Sequence, residues 1–166
     1  MDVIEKIINH IKWLRKEEDG VRADLRGDNL SKIVLFGADL RGANLQGANL
    51  SHAKLRGCNF RGANLKGANL QGASLGGASF KGANIQEIVN YVDCHDIFLE
   101  IIRRQPAQEF SPEEWVIIGQ VYCYASCWDD ILKIYGDSIA SLFDKLADLG
   151  YSEWRDHYIN FKGEIT

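Results

Sequence analysis

Residues 23–87 read ADLRG, DNLSK, IVLFG, ADLRG, ANLQG, ANLSH, AKLRG, CNFRG, ANLKG, ANLQG, ASLGG, ASFKG and ANIQE, thirteen five-residue phrases in register without a gap. The period excludes the commonest secondary structures. Five residues of α-helix turn about 500°, so the central leucines would drift by about 140° per phrase and form no stripe. A glycine at every fifth position would cost about 1 kcal/mol each in such a helix. A straight strand fails as well, because side chains alternate with period two and an odd repeat sends successive leucines to opposite faces. The period is satisfied if each phrase holds a short extended piece and a turn. The central residue (Leu25, Leu30 and so on to Ile85) and the residue two before it, mostly alanine, then point inward while the other three point out. If each phrase turns the chain by about 90°, four phrases make a square coil of 20 residues, and successive coils pair as parallel strands about 4.8 Å apart.

These A(D/N)LxG phrases resemble the pentapeptide-repeat family over about 65 residues, a match carried by all thirteen copies. The resemblance implies a right-handed quadrilateral β-helix, and the handedness comes from the resemblance alone. Three and a quarter coils would stand about 16 Å tall. The resemblance also brings in the family's quinolone-resistance members, duplex mimics that engage gyrase.

The 20-residue register places Leu40, Phe60 and Phe80 on one inner column, with Ala38, Cys58 and Ala78 beside them. The two phenylalanines are expected to stack, and Cys58 to act as a small apolar filler. Asp28 and Ile33 occupy alanine positions and Phe36 points outward, so this corner is expected to meet the N-terminal segment. On the outside, Asp24 with Asn44, Asn64 and Asn84, and Asn29 with Asn49 and Asn69, form ladders of stacked polar groups. Arg41, Arg61 and Lys81 form a column of like charge. The plain reading of that column is a solvated face; the sharper one is a contact with something acidic, such as this chain's own C-terminal part or that of a second copy.

The flanks differ in kind. Residues 1–20 predict an amphipathic helix with Val3, Ile4, Ile7, Ile8, Ile11 and Leu14 on its apolar side and Asp2 with Glu5 as a capping box. A repeat stack exposes an apolar end and unpaired backbone, so this helix is expected to act as its lid. Four basic against five acidic residues argue against a membrane-surface helix. Residues 88–166 predict a small helical bundle: a stripe of Ile88, Val92, His95, Phe98, Leu99 and Ile102, a helix start at Ser111-Pro112-Glu113-Glu114, and a helix between Gly136 and Gly150. A last helix carries Trp154 and Tyr158. From Trp115 to Trp128 the sequence is apolar almost all round, which predicts burial within the bundle or against another chain. The organisation is thus a capping helix over 1–20, a repeat body over 21–87 and an α-helical domain over 88–166.

Charge is divided along the chain. The net charge is −4, yet residues 21–87 carry nine basic and four acidic side chains and residues 88–166 carry six and fourteen. The acidic segment opposes nucleic-acid binding by the C-terminal helices. No apolar stretch approaches the roughly 20 residues of a membrane span, and the four cysteines lack the spacing of a secreted framework. A cytoplasmic location is the expectation.

Chemistry is sparse. Cys94-His95 and Cys123-x-x-x-Cys127 offer four zinc-type ligands, but without tight CxxC knuckles, and His95 sits on an apolar stripe. Neither a P-loop nor a nucleophile-base-acid arrangement with a supporting motif is present. The sequence therefore predicts no catalytic residue, cofactor or metal. It predicts a non-catalytic interaction protein whose coil is a rigid platform and whose helices bind a protein partner or form a homodimer. Candidate contact residues are Arg41, Arg61, Lys81, Trp115 and Trp128. A gyrase-binding duplex mimic is the second reading, opposed by the short, basic coil; an enzyme or metal site in the helical domain is the third.

Overall fold

The computed structural model describes residues 1–91, 95–124 and 128–165. The chain divides into two units, Met1–Asp96 and Ile97–Thr166.

In the first unit the coil has the expected period. Parallel bridges join residues 20 apart in four columns: Asp24, Asn44, Asn64 and Asn84; Asn29, Asn49, Asn69 and Val89; Val34, Lys54 and Ser74; Asp39, Asn59 and Ser79. Each phrase contributes a single bridging residue, so among the described residues the coils are joined by isolated bridges and not by continuous strands. The reason is the turn that follows at once. The N–H of each new phrase bonds to the preceding central carbonyl, as in Ala43 to Leu40 at 3.0 Å, and the fifth position lies at φ between 55° and 72° throughout. Glycine adopts that left-handed conformation without a side-chain clash, which is why it closes ten phrases; Lys32, His52 and Glu87 adopt it at some cost.

The second position explains itself by a bond the periodicity did not reveal. Its Asp or Asn Oδ1 accepts the N–H two residues on, as in Ser51 to Asn49 at 3.1 Å and Gln71 to Asn69 at 3.0 Å. The side chain thereby fixes the turn from outside. The same amides also stack: Asn64 Nδ2 donates to Asn44 at 3.2 Å and Asn49 Nδ2 to Asn29 at 3.3 Å. Inside, Phe60 and Phe80 stack with centroids 5.3 Å apart, and Cys58 is fully buried with its thiol donating to the Leu35 carbonyl at 2.7 Å. The coil register runs past Glu87, since Val89 bridges Asn69, Ile88 takes the inward position and Asn90 donates to Asn69 at 2.9 Å.

The N-terminal helix, α1, spans Val3–Leu14, shorter than expected because Lys16 turns left-handed at φ 60°. Asp2 caps it by accepting the Ile4 N–H at 2.6 Å. It lies on the first coil through Lys6, which pairs with Asp28 at 2.5 Å, and His10, whose Nδ1 accepts the Ala23 N–H at 3.1 Å. Trp13 stacks on His10 and reaches the Gly42 corner. The irregular corner meets α1 in part: Asp28 does so through Lys6, whereas Phe36 is 60% exposed and Leu35 and Ile33 are only half-buried, so the third phrase is left open. The expected apolar side of α1 is also split: Ile7 and His10 are buried, whereas Ile4, Ile8 and Ile11 face out.

In the second unit helices α2 (His95–Arg103, beginning at the end of the first unit), α3 (Pro112–Tyr124), α4 (Trp128–Tyr135), α5 (Ala140–Asp148) and α6 (Glu153–Ile165) follow one another. Phe98, Trp128, Phe143 and Trp154 form its aromatic centre, with Phe98 edge-on to Trp128 at 5.0 Å and to Trp154 at 5.3 Å. Ile97 and Ile101 join Phe98 and Ile102 in the core, while His95 and Leu99, expected on that stripe, are half-buried.

Candidate interaction surfaces

The four bridge columns define four outer faces of the coil, and the outward residues sort onto them unevenly. The third face presents Val34 and Phe36, then Lys54 and Arg56, then Ser74 and Gly76. The fourth presents Asp39 and Arg41, then Asn59 and Arg61, then Ser79 and Lys81. These two neighbouring faces hold five basic side chains and one acidic one. The first and second faces are mostly amide and hydroxyl.

The expected column Arg41, Arg61 and Lys81 is in register, because Gly42 N–H bonds to the Arg61 carbonyl and Gly62 N–H to the Lys81 carbonyl. All three residues are exposed. They are not equivalent. Arg41 is held by Asp39, with Nε 2.8 Å and Nη2 2.7 Å from its carboxylate, and this bonding keeps the Asp39 carboxyl below its ordinary range. Among the described residues no ion pair involves Lys54, Arg56, Arg61 or Lys81, and all four are exposed. Sequence reading singled out one column and missed Lys54 and Arg56; the signal was available, since both belong to AKLRG, the phrase preceding the one that holds Arg61.

The second unit corrects two expectations. Trp128, expected as a contact residue, is 2% exposed and sits at the aromatic centre, because α4 turns it inward against Phe98 and Phe143. Helix α3, expected to be buried within the bundle or against another chain, is not enclosed by the bundle alone: it buries Ile117, Ile118 and Val121 but leaves Trp115 40% and Val116 56% exposed. Trp115 is nonetheless fixed: its Nε1 donates to the Ala107 carbonyl at 3.1 Å and its ring meets Phe110 edge-on.

The helix start at Ser111 is as expected, with a consequence the sequence did not display. Ser111 Oγ accepts the Glu114 N–H at 3.2 Å and Glu114 returns the bond to the Ser111 N–H at 2.7 Å. Glu114 is 3% exposed and also meets Lys145 at 2.7 Å and the Ser141 hydroxyl at 2.9 Å. Burial pushes this carboxyl up, but the Lys145, Ser111 and Ser141 bonds outweigh it and leave the group below its ordinary value. The network ties α3 to α5 and is filled by its own partners, so it reads as structure.

Most of the cysteine-histidine set falls outside the described residues. Cys94 and Cys127 lie outside the described residues, as does the side chain of Cys123, and His95 is half-buried. Among the described residues no group of three or more His, Cys, Asp and Glu side chains is placed to hold a metal, and no helix is long and apolar enough to cross a membrane.

The family model for pentapeptide repeats matches residues 21–57 and 58–88, covering the coil and its continuation at Ile88. The chain is also 31% identical to alr5209, a pentapeptide repeat protein from Nostoc PCC 7120, across 51% of this chain and 75% of that one, at a TM-score of 0.19. The chain belongs to the pentapeptide-repeat family. This pentapeptide-repeat protein is 48% identical to Rfr23 of the cyanobacterium Cyanothece 51142 over 37% of its own length, at a TM-score of 0.36. It spans 42% of the length of Rfr23. It is 24% identical to QnrB1, a plasmid-mediated fluoroquinolone resistance protein, over 45% of its length and 39% of that protein's, at a TM-score of 0.24. No curated protein matches the chain.

Proposed function

We propose that this pentapeptide-repeat protein is a non-catalytic interaction protein: a right-handed quadrilateral β-helix, lidded by α1 and followed by a helical bundle, that presents its third and fourth faces to an acidic protein surface. The observation that carries the reading is the placement of Lys54, Arg56, Arg61 and Lys81 on two neighbouring faces of one rigid body. Their spacing along the backbone is set by bonds between coils, so binding orders the four side chains but not the backbone that carries them. Opposite charge on a partner then gives steering and register. The basic sign opposes a duplex mimic, which needs an acidic exterior.

The test compares the full chain with a variant carrying Lys54→Glu, Arg56→Glu, Arg61→Glu and Lys81→Glu in affinity capture from host lysate at low and high salt. A protein retained by the parent, released by salt and absent from the variant is the expected result. Equal retention by both, or protection of gyrase from a quinolone in a supercoiling assay, would overturn the reading.

A further inference from the structure

The outer face of α1 carries a second apolar seam, distinct from the one that meets the coil. Val3, Ile7, His10 and Leu14 recur at spacings of four, three and four and form the inward seam. Ile4, Ile8 and Ile11 recur at four and three and are 50%, 51% and 37% exposed. Alternating steps of four and three are the spacing by which one helix packs along another. The same end of the coil carries the half-buried Ile33 and Leu35. Lone exposed isoleucines are ordinary, but three aligned on one short helix beside an open coil corner form a patch.

The flank of this seam indicates what covers it. Glu5 and Lys12 are seven residues apart and so project from the same side of α1, bordering Ile8. When two such helices pair antiparallel about a two-fold axis near Ile8, like flanks meet and run in opposite directions. Glu5 of one copy then comes opposite Lys12 of the other, twice. Ile4 meets Ile11, and Ile8 meets its own equivalent. A lipid surface lacks this complementarity, and α1 lacks the excess of cations that anionic lipid recruits: Asp2 and Glu5 oppose Lys6 and Lys12.

We infer that α1 is a self-association surface through which two copies of this chain pair antiparallel, with Ile4, Ile8 and Ile11 in the seam and Glu5 facing Lys12 of the other copy. The inference is independent of the basic faces, so either can fail without the other. Three partly exposed side chains fall short of a standard interface of roughly 800 Å² per partner, so the dimer is weak, dissociating on the order of 10–100 μM.

Sedimentation equilibrium of the full chain from about 1 to 200 μM spans this range. A concentration-dependent dimer is expected, and Ile8→Glu, at an exposed position that leaves the fold intact, raises its dissociation constant at least about tenfold because both copies lose the contact. Glu5→Lys weakens the dimer by placing cation against cation, and Glu5→Lys with Lys12→Glu restores it. A monomer throughout, a dimer indifferent to Ile8→Glu, or a double variant no tighter than Glu5→Lys alone overturns the inference. So does a monomer that binds phosphatidylcholine vesicles through Ile8.

Discussion

Acidification between pH 7 and 5 should weaken the attachment of α1 through one residue, His10. Its imidazole is fully buried, Nδ1 accepts the Ala23 N–H at 3.1 Å, and Nε2 is buried without a hydrogen-bond partner. An imidazolium carries a proton on both nitrogens and cannot accept that bond. Burial lowers the His10 pKa from its ordinary 6.5; Asp39 and the Arg41 carbonyl pull it upward, Arg22 and Arg41 downward, and burial prevails. The folded value therefore lies below the unfolded one. The stabilisation is complete above about pH 6.5 and is lost as the pH falls from there to the folded value, because the unfolded chain binds the extra proton. The slope is limited to about 1.4 kcal/mol per pH unit for one group, giving a ceiling of roughly 2 kcal/mol at pH 5. Asp39 and Glu114, with values below their ordinary 3.8 and 4.5, stay ionised in this window and do not contribute. Urea unfolding at pH 5, 6 and 7.5, with the His10 ring resonances followed by NMR, measures both quantities. His10→Phe keeps the ring on Trp13 and removes the titration. It lowers stability at pH 7.5 by about 1–3 kcal/mol, since the Ala23 N–H loses its acceptor, and it flattens the slope. A His10 that titrates at or above 6.5, or equal slopes in parent and variant, would refute the argument.

Three further outcomes concern the body of the protein. Phe60→Ala should cost about 3–5 kcal/mol in chemical denaturation, because the ring is fully buried against Phe80 and the backbone bonds between coils prevent collapse around the void. Glu114→Ala should cost roughly 3 kcal/mol by leaving Lys145 and the Ser111 N–H without their shared acceptor; in the parent this contribution is complete above about pH 4.5 and disappears as the pH falls through the lowered folded value. Gly57→Ala, at φ 70° with only ordinary contact to Gly37, should cost about 1 kcal/mol from backbone strain. Gly20→Ala should cost more, since its Cβ would lie 2.3 Å from the Trp13 nitrogen, and thermal melts of the two variants rank them.

The second-position asparagines illustrate where sequence reading stops short within the coil. Their ladder is legible from the 20-residue register, yet the bond from Oδ1 to the N–H two residues on is a property of the turn itself, and only the folded turn displays it. The basic faces were half-legible for a similar reason. Register alone gives each column, but the adjacency of Lys54 and Arg56 to Arg61 and Lys81 needs the corner between two faces. Trp128 was misread because an apolar helix offers no polar side from which to judge its inward direction.

By itself the sequence determined the coil. A five-residue period with glycine, leucine and asparagine at fixed places is met by a coil of four phrases per turn, so the register, the inner columns and the Phe60–Phe80 stack follow from local chemistry repeated. Tertiary structure decided what happens at the end of the stack. On α1 an apolar arc of Val3, Ile4, Ile7, Ile8, Ile11 and Leu14 is too wide for one contact, and nothing in its spacing says which half turns inward. The coil settled that by offering the Ala23 N–H and Asp28 to His10 and Lys6, which rotates Ile4, Ile8 and Ile11 away from it.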